Sequence, residues 1–302
     1  MPAIERSAVA GAIYLFSAFT LAGSSSPGAS VTDGPDTSHQ EQRALLRMAR
    51  DSLVVGHYRF SVQEVRRLAF DIPSDDPRAE LLRSAGTPKE KQTDVAATVV
   101  STPAGPDAER RYIAYWLGYR IIGDDVQGLS PVQWDSIFQV VGRRGIVRFT
   151  SRGQPRGVEV ASDAVRPVAQ ALANTLSGLA MELPLDSVVA GGRWGGNVAV
   201  NVDAPDGSRL IVPVQVRYRL REFQEGPDGL VARIEFDGEP VPASDDAPKA
   251  TGQYYGESYF SVTAGRYNRI MALANLEVEW HDPSGLPPGR WAVRWRGDVV
   301  RR

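Results

Sequence analysis

Residues 209–223 read RLIVPVQVRYRLREF. Val212, Val214, Val216, Tyr218 and Leu220 fall on one side of this stretch, and Gln215, Arg217, Arg219 and Arg221 on the other. Side chains that alternate with a period of two belong to a β-strand with one face in a core and one in water. The arginine row on the wet face is the kind of edge that resists strand-to-strand aggregation, and its alternative reading is a seat for an anionic group.

The same pattern extends on both sides. Arg193–Asp203 precedes it across the turn Ala204-Pro205-Asp206-Gly207-Ser208, and Gly226-Pro227-Asp228-Gly229 leads into Leu230–Phe236. Glu257–Val262 and Tyr267–Trp280 flank Thr263-Ala264-Gly265-Arg266, with Ile270, Ala272, Ala274, Leu276, Val278 and Trp280 on one face. Trp291, Val293, Trp295 and Val299 form a last strand. Upstream, Gln92–Thr102 and Arg110–Gly123 read as a pair around a Pro/Gly-rich turn. Arg111–Ile122 is apolar on both faces, which places it centrally in the sheet. Ser136–Val141 and Ile146–Ser151 pair around Gly142-Arg143-Arg144-Gly145, and Leu45–Ala49 with His57–Leu68 reads as a first hairpin.

One segment departs from period two. Apolar residues at 165, 168, 169, 172, 176, 179, 180 and 183 predict an amphipathic helix over 163–183, capped by Ser162 or Asp163 and ended by Pro184. The fold class expected is therefore α+β and β-dominated: a curled, half-barrel-like antiparallel sheet with one long amphipathic helix.

The N-terminus, MPAIERSAVAGAIYLFSAFTLAGS, has a charged start at Arg6, an uncharged run from Ala8 to Leu21 and small residues at Ala22, Gly23 and Ser24. That is the plan of a secretory signal, and the run is short for a membrane span; an uncleaved anchor is the other reading. Ser24 stands where a lipoprotein signal has its lipidated Cys, so no lipidation is expected. Residues 1–24 are read as signal peptide, 25–40 as flexible linker and 41–302 as one β-rich domain, exported to a periplasm or beyond. With no cysteine among 302 residues, disulfides, thiolate catalysis and Cys-ligated metals are excluded. A net charge of -2 argues against nucleic acid as a partner. No transmembrane segment is expected in the mature chain.

Chemistry-bearing patterns are sparse. His39, His57 and His281 lack metal-ligand spacing, and no Gly-x-Ser-x-Gly elbow occurs. The pairs Asp75-Asp76, Asp124-Asp125 and Asp245-Asp246 sit in turn-forming sequence, and Asp203-Ala204-Pro205-Asp206-Gly207 lacks the ligands of a calcium loop. No catalytic residue, cofactor or metal is predicted. Trp116, Tyr119, Trp134, Trp194, Phe260 and Trp280 are candidates either to line an apolar groove in a curved sheet or to pack its core.

Gly145-Ile146-Val147-Arg148-Phe149, Leu183-Pro184-Leu185, Val188-Val189-Ala190-Gly191-Gly192-Arg193-Trp194 and the pair Gly252–Val262 with Gly265–Glu279 occur in one order. In this the chain resembles a family of uncharacterised exported bacterial proteins, a domain of unknown function that brings no activity with it. A more distant, architectural similarity is to periplasmic lipoprotein carriers, whose half-barrels hold lipid. Export, the curved sheet and the aromatic content point instead to a non-enzymatic envelope protein that binds or carries an apolar or lipid-like ligand, or to a binding module for another envelope component. The alternatives are a hydrolase of envelope sugars or esters and an adhesive interaction module.

Overall fold

In the computed structural model the described residues are 42–48, 54–73, 75–86, 88–102, 110–123, 144–150, 152–160, 177–203, 209–243, 248–280 and 288–302. All belong to the unit Glu41–Arg302. The alternation of residues 209–223 becomes an alternation of burial. Val212, Val214, Val216, Tyr218 and Leu220 are at most 2% exposed, and Gln215, Arg217, Arg219 and Arg221 face water.

The strands are β1 (Arg43–Ala44), β2 (Val54–Phe70), β3 (Lys89–Thr102), β4 (Arg110–Gly123), β5 (Arg144–Phe149), β6 (Pro155–Val160), β7 (Val188–Val189), β8 (Arg193–Asp203), β9 (Arg209–Gly226), β10 (Gly229–Pro240), β11 (Ala250–Ser261), β12 (Arg266–Trp280) and β13 (Gly289–Arg301). A short helix, α1 (Ala79–Ala85), follows β2. Eleven strands make one antiparallel sheet in the order β6-β5-β4-β3-β2-β13-β12-β11-β10-β9-β8. The chain enters in the middle at β2 and steps outward to β6. It then resumes at the opposite edge with β8 and steps back to β13, which pairs with β2. The sheet is not closed: β6 and β8 are its two edges.

The hairpin of β9 and β10 shows how a turn fixes a strand pair. Pro227 and Asp228 close β9 onto β10, and Gly229 takes φ 87°, a left-handed conformation that glycine adopts without a Cβ clash. Asp228 accepts hydrogen bonds from Arg266 at 3.2 Å and from Arg301, tying this turn to the ends of β12 and β13. Burial works to raise the Asp228 pKa, but the two guanidinium groups hold its carboxyl below the usual range.

One face of β2 and β8–β13 carries the core. Phe60, Val62, Ile234, Phe236, Ile270, Leu276, Trp291, Val293 and Trp295 are all buried there. Two extended segments lie on that face. Residues 44–48 contribute Ala44, Leu46 and Met48, and residues 179–183 contribute Leu179, Met181 and Leu183. Gly297 leaves the space that Leu179 and Trp295 fill, since a Cβ there would lie 2.5 Å from Leu179 Cδ2 and 2.6 Å from the Trp295 ring.

Several expectations are corrected. The helix expected over 163–183 is described only at its end: Ser177 is helical, and the chain leaves the helix there, six residues before Leu183. Residues 161–176 lie outside the described residues, and 178–184 form a turn followed by extended chain. Leu179, Met181 and Leu183 enter the core, Glu182 and Pro184 are buried beside them, and Ala180 is half-buried. Residues 45–49 do not form a hairpin with 57–68: β1 pairs with β7, and β2 pairs with β3 and β13. β4 is interior but third from the β6 edge; the middle strand is β13. β5 pairs with β4 and β6, and residues 136–141 lie outside the described residues.

The two faces of β9 differ sharply in what a substitution costs. Leu220→Ala, at a fully buried site, is expected to destabilise the fold by about 2–5 kcal/mol, and Arg219→Ala by no more than about 0.5 kcal/mol. Urea unfolding midpoints at unchanged slope read both.

Candidate functional site

The segment Ser177–Leu185 (SGLAMELPL) crosses the covered face of the sheet as a strap. An extended chain in a core has no ladder of its own, so its backbone polar groups need other partners. Side chains from around it supply them. Tyr254 Oη donates to the Gly178 carbonyl at 2.8 Å, Tyr267 Oη to that of Met181 at 3.1 Å and Trp194 Nε1 to that of Glu182 at 2.7 Å. Arg152 Nε donates to the Leu183 carbonyl at 2.8 Å, and Arg47 donates to those of Pro184 and Leu185. The Leu183 N–H in turn donates to the Arg152 carbonyl at 2.8 Å. The Glu182 N–H donates to Tyr218 Oη at 3.4 Å.

Glu182 is the acidic residue of the strap and is 8% exposed. Its Oε1 lies 2.6 Å from Arg152 Nη1, and its Oε2 accepts the Asn197 N–H at 3.3 Å. Arg152 sits in the turn between β5 and β6, and Asn197 is on β8. One carboxylate thus bonds a group beside each edge of the open sheet. Gly196 permits the approach, because a Cβ there would be 2.8 Å from both Cβ and Oε2 of Glu182.

Aromatic rings cross four strands along this face. Trp194 stacks on Tyr218 at 5.5 Å, Tyr218 meets Phe236 at 6.0 Å, and Phe236 stacks on Tyr254 at 5.4 Å. Burial pushes the Tyr254 phenol well above its usual pKa, with the neighbouring Tyr218 adding to the effect. Burial does the same to Tyr218, reinforced by the Glu182 charge and opposed by the bond from the Glu182 backbone and by Arg152.

The aromatics singled out from sequence are distributed unevenly. Trp194 is half-buried, and its indole N–H holds the strap. Phe260 is wholly buried and meets Tyr267 edge-on at 5.0 Å. Trp134 lies outside the described residues, and Trp280 closes β12. Strict alternation puts Trp116 and Tyr119 on opposite faces, but a bulge in β4 changes this. Ala97 is opposite Trp116 and Ala96 is opposite Gly118, so Leu117 is the extra residue. Tyr119 is then opposite Val95, and Val95 and Ala97 face Phe60 and Tyr58 of β2. By register, Trp116 and Tyr119 fall in line with Ala97 and Val95, and these with Tyr58 and Phe60 of β2.

Most of the remaining candidates fall outside the described residues. His57 is exposed on β2; His39, His281, Asp124-Asp125, Asp245-Asp246 and residues 204–208 lie outside the described residues. Asp76 is engaged by Arg78, whose backbone N–H and guanidinium donate to it and hold its carboxyl below the usual range. Two members of the arginine row face acids on β10: Arg217 bonds Asp237, and Arg221 lies 2.7 Å from Glu235. Among the described residues no cluster of three or more His, Cys, Asp or Glu is arranged to hold a metal. The strap and its Arg152–Glu182 pair were not singled out from sequence. Their one signal is a lone acid inside the apolar run Leu179-Ala180-Met181-Glu182-Leu183.

No family model matches the chain, so the family resemblance gains no support there. No curated protein matches it. A solved structure concerned with lipid–protein interactions in lipovitellin is similar over 82% of this chain at 10% identity and a TM-score of 0.42. The chain spans only 25% of that lipovitellin chain, and a likeness of this size carries no argument about fold or ligand.

The strap bonds set a pH limit. Tyr218 and Tyr254 stay protonated in the folded state but ionise near pH 10 once unfolded. Above that pH the folded state binds more protons, so stability is full below about pH 10 and is lost as pH rises further. Thermal melts between pH 7 and 11 are expected to show this loss, and Tyr254→Phe is expected to weaken it. Glu182→Ala leaves Arg152 without its counter-charge and is expected to cost about 3 kcal/mol at neutral pH.

Proposed function

We propose that this chain is an exported, non-enzymatic envelope protein that binds or carries an apolar, lipid-like ligand against the β3–β6 half of the covered face. The observation that carries the reading is the register of that half. Val95 and Ala97 of β3, Trp116 and Tyr119 of β4, Val147 of β5 and Val158 of β6 fall in one cross-strand series. This series continues the buried face of β2, where Phe60 and Val62 lie. The strap takes its side-chain bonds from β8, β9, β11 and β12, on the other half of the sheet, and from Arg47 and Arg152. A cross-strand series of apolar residue types that includes two large aromatics suits a ligand with a hydrocarbon body. Export rests on the N-terminal sequence: a charged start, an uncharged run and small residues at 22–24.

Native mass spectrometry of the protein made with its own N-terminus and purified without detergent tests both parts. The expected result is a chain beginning near Ser25 that carries an adduct of lipid mass, with the adduct reduced several-fold by Trp116→Ser. A bare mass, even after incubation with a lipid extract, contradicts the binding reading. An unprocessed N-terminus contradicts export.

A further inference from the structure

The uncovered face of the sheet carries a second feature, separate from the apolar one. Where β3, β2 and β13 lie side by side there is a depression of ≈ 370 Å³. Arg59, Ser61 and Gln63 of β2 line it, with Gln92 of β3 and Arg296 and Asp298 of β13. Register explains the gathering. Ser61 is flanked by Asp94 and Asp298, and Gln63 by Gln92 and Arg296, so three adjacent strands present polar residues at the same two levels.

The charged groups of the depression are paired in part. Asp94 faces Arg59 at 3.4 Å and accepts a bond from Gln92 at 3.2 Å. Asp298 faces Arg269 at 3.5 Å. Asp94 and Asp298 each have an arginine, and Arg296 has no ion pair among the described residues. Gln63 Nε2 donates to Glu90 at 2.6 Å, which fixes its amide beside the depression. A guanidinium offers a planar fork of donors that matches a phosphate; the Ser61 hydroxyl is engaged by Asp94, and the Gln63 and Gln92 amides each keep one N–H beyond the bonds they make to Glu90 and Asp94. The volume is that of a small ligand site.

We propose that this depression binds a phosphate-type oxyanion, with Arg296 as the charged fork and Arg59, Ser61, Gln63 and Gln92 around it. The same chemistry is offered by a soluble phosphate ester and by a phospholipid headgroup. The site lies on the face opposite the proposed apolar ligand, so it stands whether or not that ligand binds.

Titration calorimetry of the purified protein with inorganic phosphate and with glucose 6-phosphate, in parallel with co-sedimentation on phosphatidylcholine vesicles with and without phosphatidylglycerol, separates the sources. Saturable binding of either soluble probe, weakened at least tenfold by Arg296→Gln and unchanged by Arg217→Gln on the same face, supports a soluble oxyanion. Sedimentation that requires phosphatidylglycerol and is lost in Arg296→Gln supports a headgroup. A Gln92→Leu variant, which keeps every charge, is expected to weaken either form of binding several-fold. No binding of any probe, or equal loss in Arg296→Gln and Arg217→Gln, overturns the proposal.

Discussion

A single buried carboxylate bridges the two ends of a sheet that its own strands leave open. Glu182 receives Arg152 from the β5–β6 turn on one oxygen and the Asn197 N–H of β8 on the other. Burying such a charge is costly unless every partner is present, and here the two partners come from opposite edges. The strap that carries Glu182 is subject to the same constraint along its length. Extended backbone in a core must have its carbonyls bonded, and Tyr254, Tyr267, Trp194, Arg152 and Arg47 each supply a donor. Losing one of these bonds leaves a buried acceptor bare, so the strap is held by the cost of releasing it as much as by hydrophobic packing.

This arrangement divides the work of one long sheet. β8–β13 and β2 form a filled core, with Leu179 set over Gly297 and an aromatic row beneath the strap. β3–β6 carry the same apolar register onward to the second edge. The opposite face is polar, and its arginines are matched to acids on neighbouring strands at most positions, as with Arg217 and Asp237.

Much of the meander was legible in the sequence because its signals are local. The alternation in 212–220, the Pro227-Asp228-Gly229 turn and the run 270–280 each determine their own strand and partner. The pairing of β13 with β2 was not legible, since no local pattern tells which two strands meet when nearly the whole chain lies between them. The helix reading of 163–183 failed over its last turns for a specific reason. Leu179 and Leu183 are four residues apart, a spacing that serves both a helix and an extended chain. Met181 decides between them, and it is buried where Ala180 is not fully so. The bulge at Leu117 was equally silent, because one inserted residue changes which aromatics share a face without altering composition. The strap's bonds came from residues scattered from 47 to 267, which no spacing rule connects.

The account depends on the strap coupling both edges through Glu182, and amide hydrogen exchange compared between the parent protein and Glu182→Gln tests this directly. The predicted result is loss of protection together at Leu183, at Asn197 on β8 and at Gly153 in the β5–β6 turn, with β9–β12 unchanged. Loss confined to one of these places, or none, would contradict a coupling of the two edges by that carboxylate.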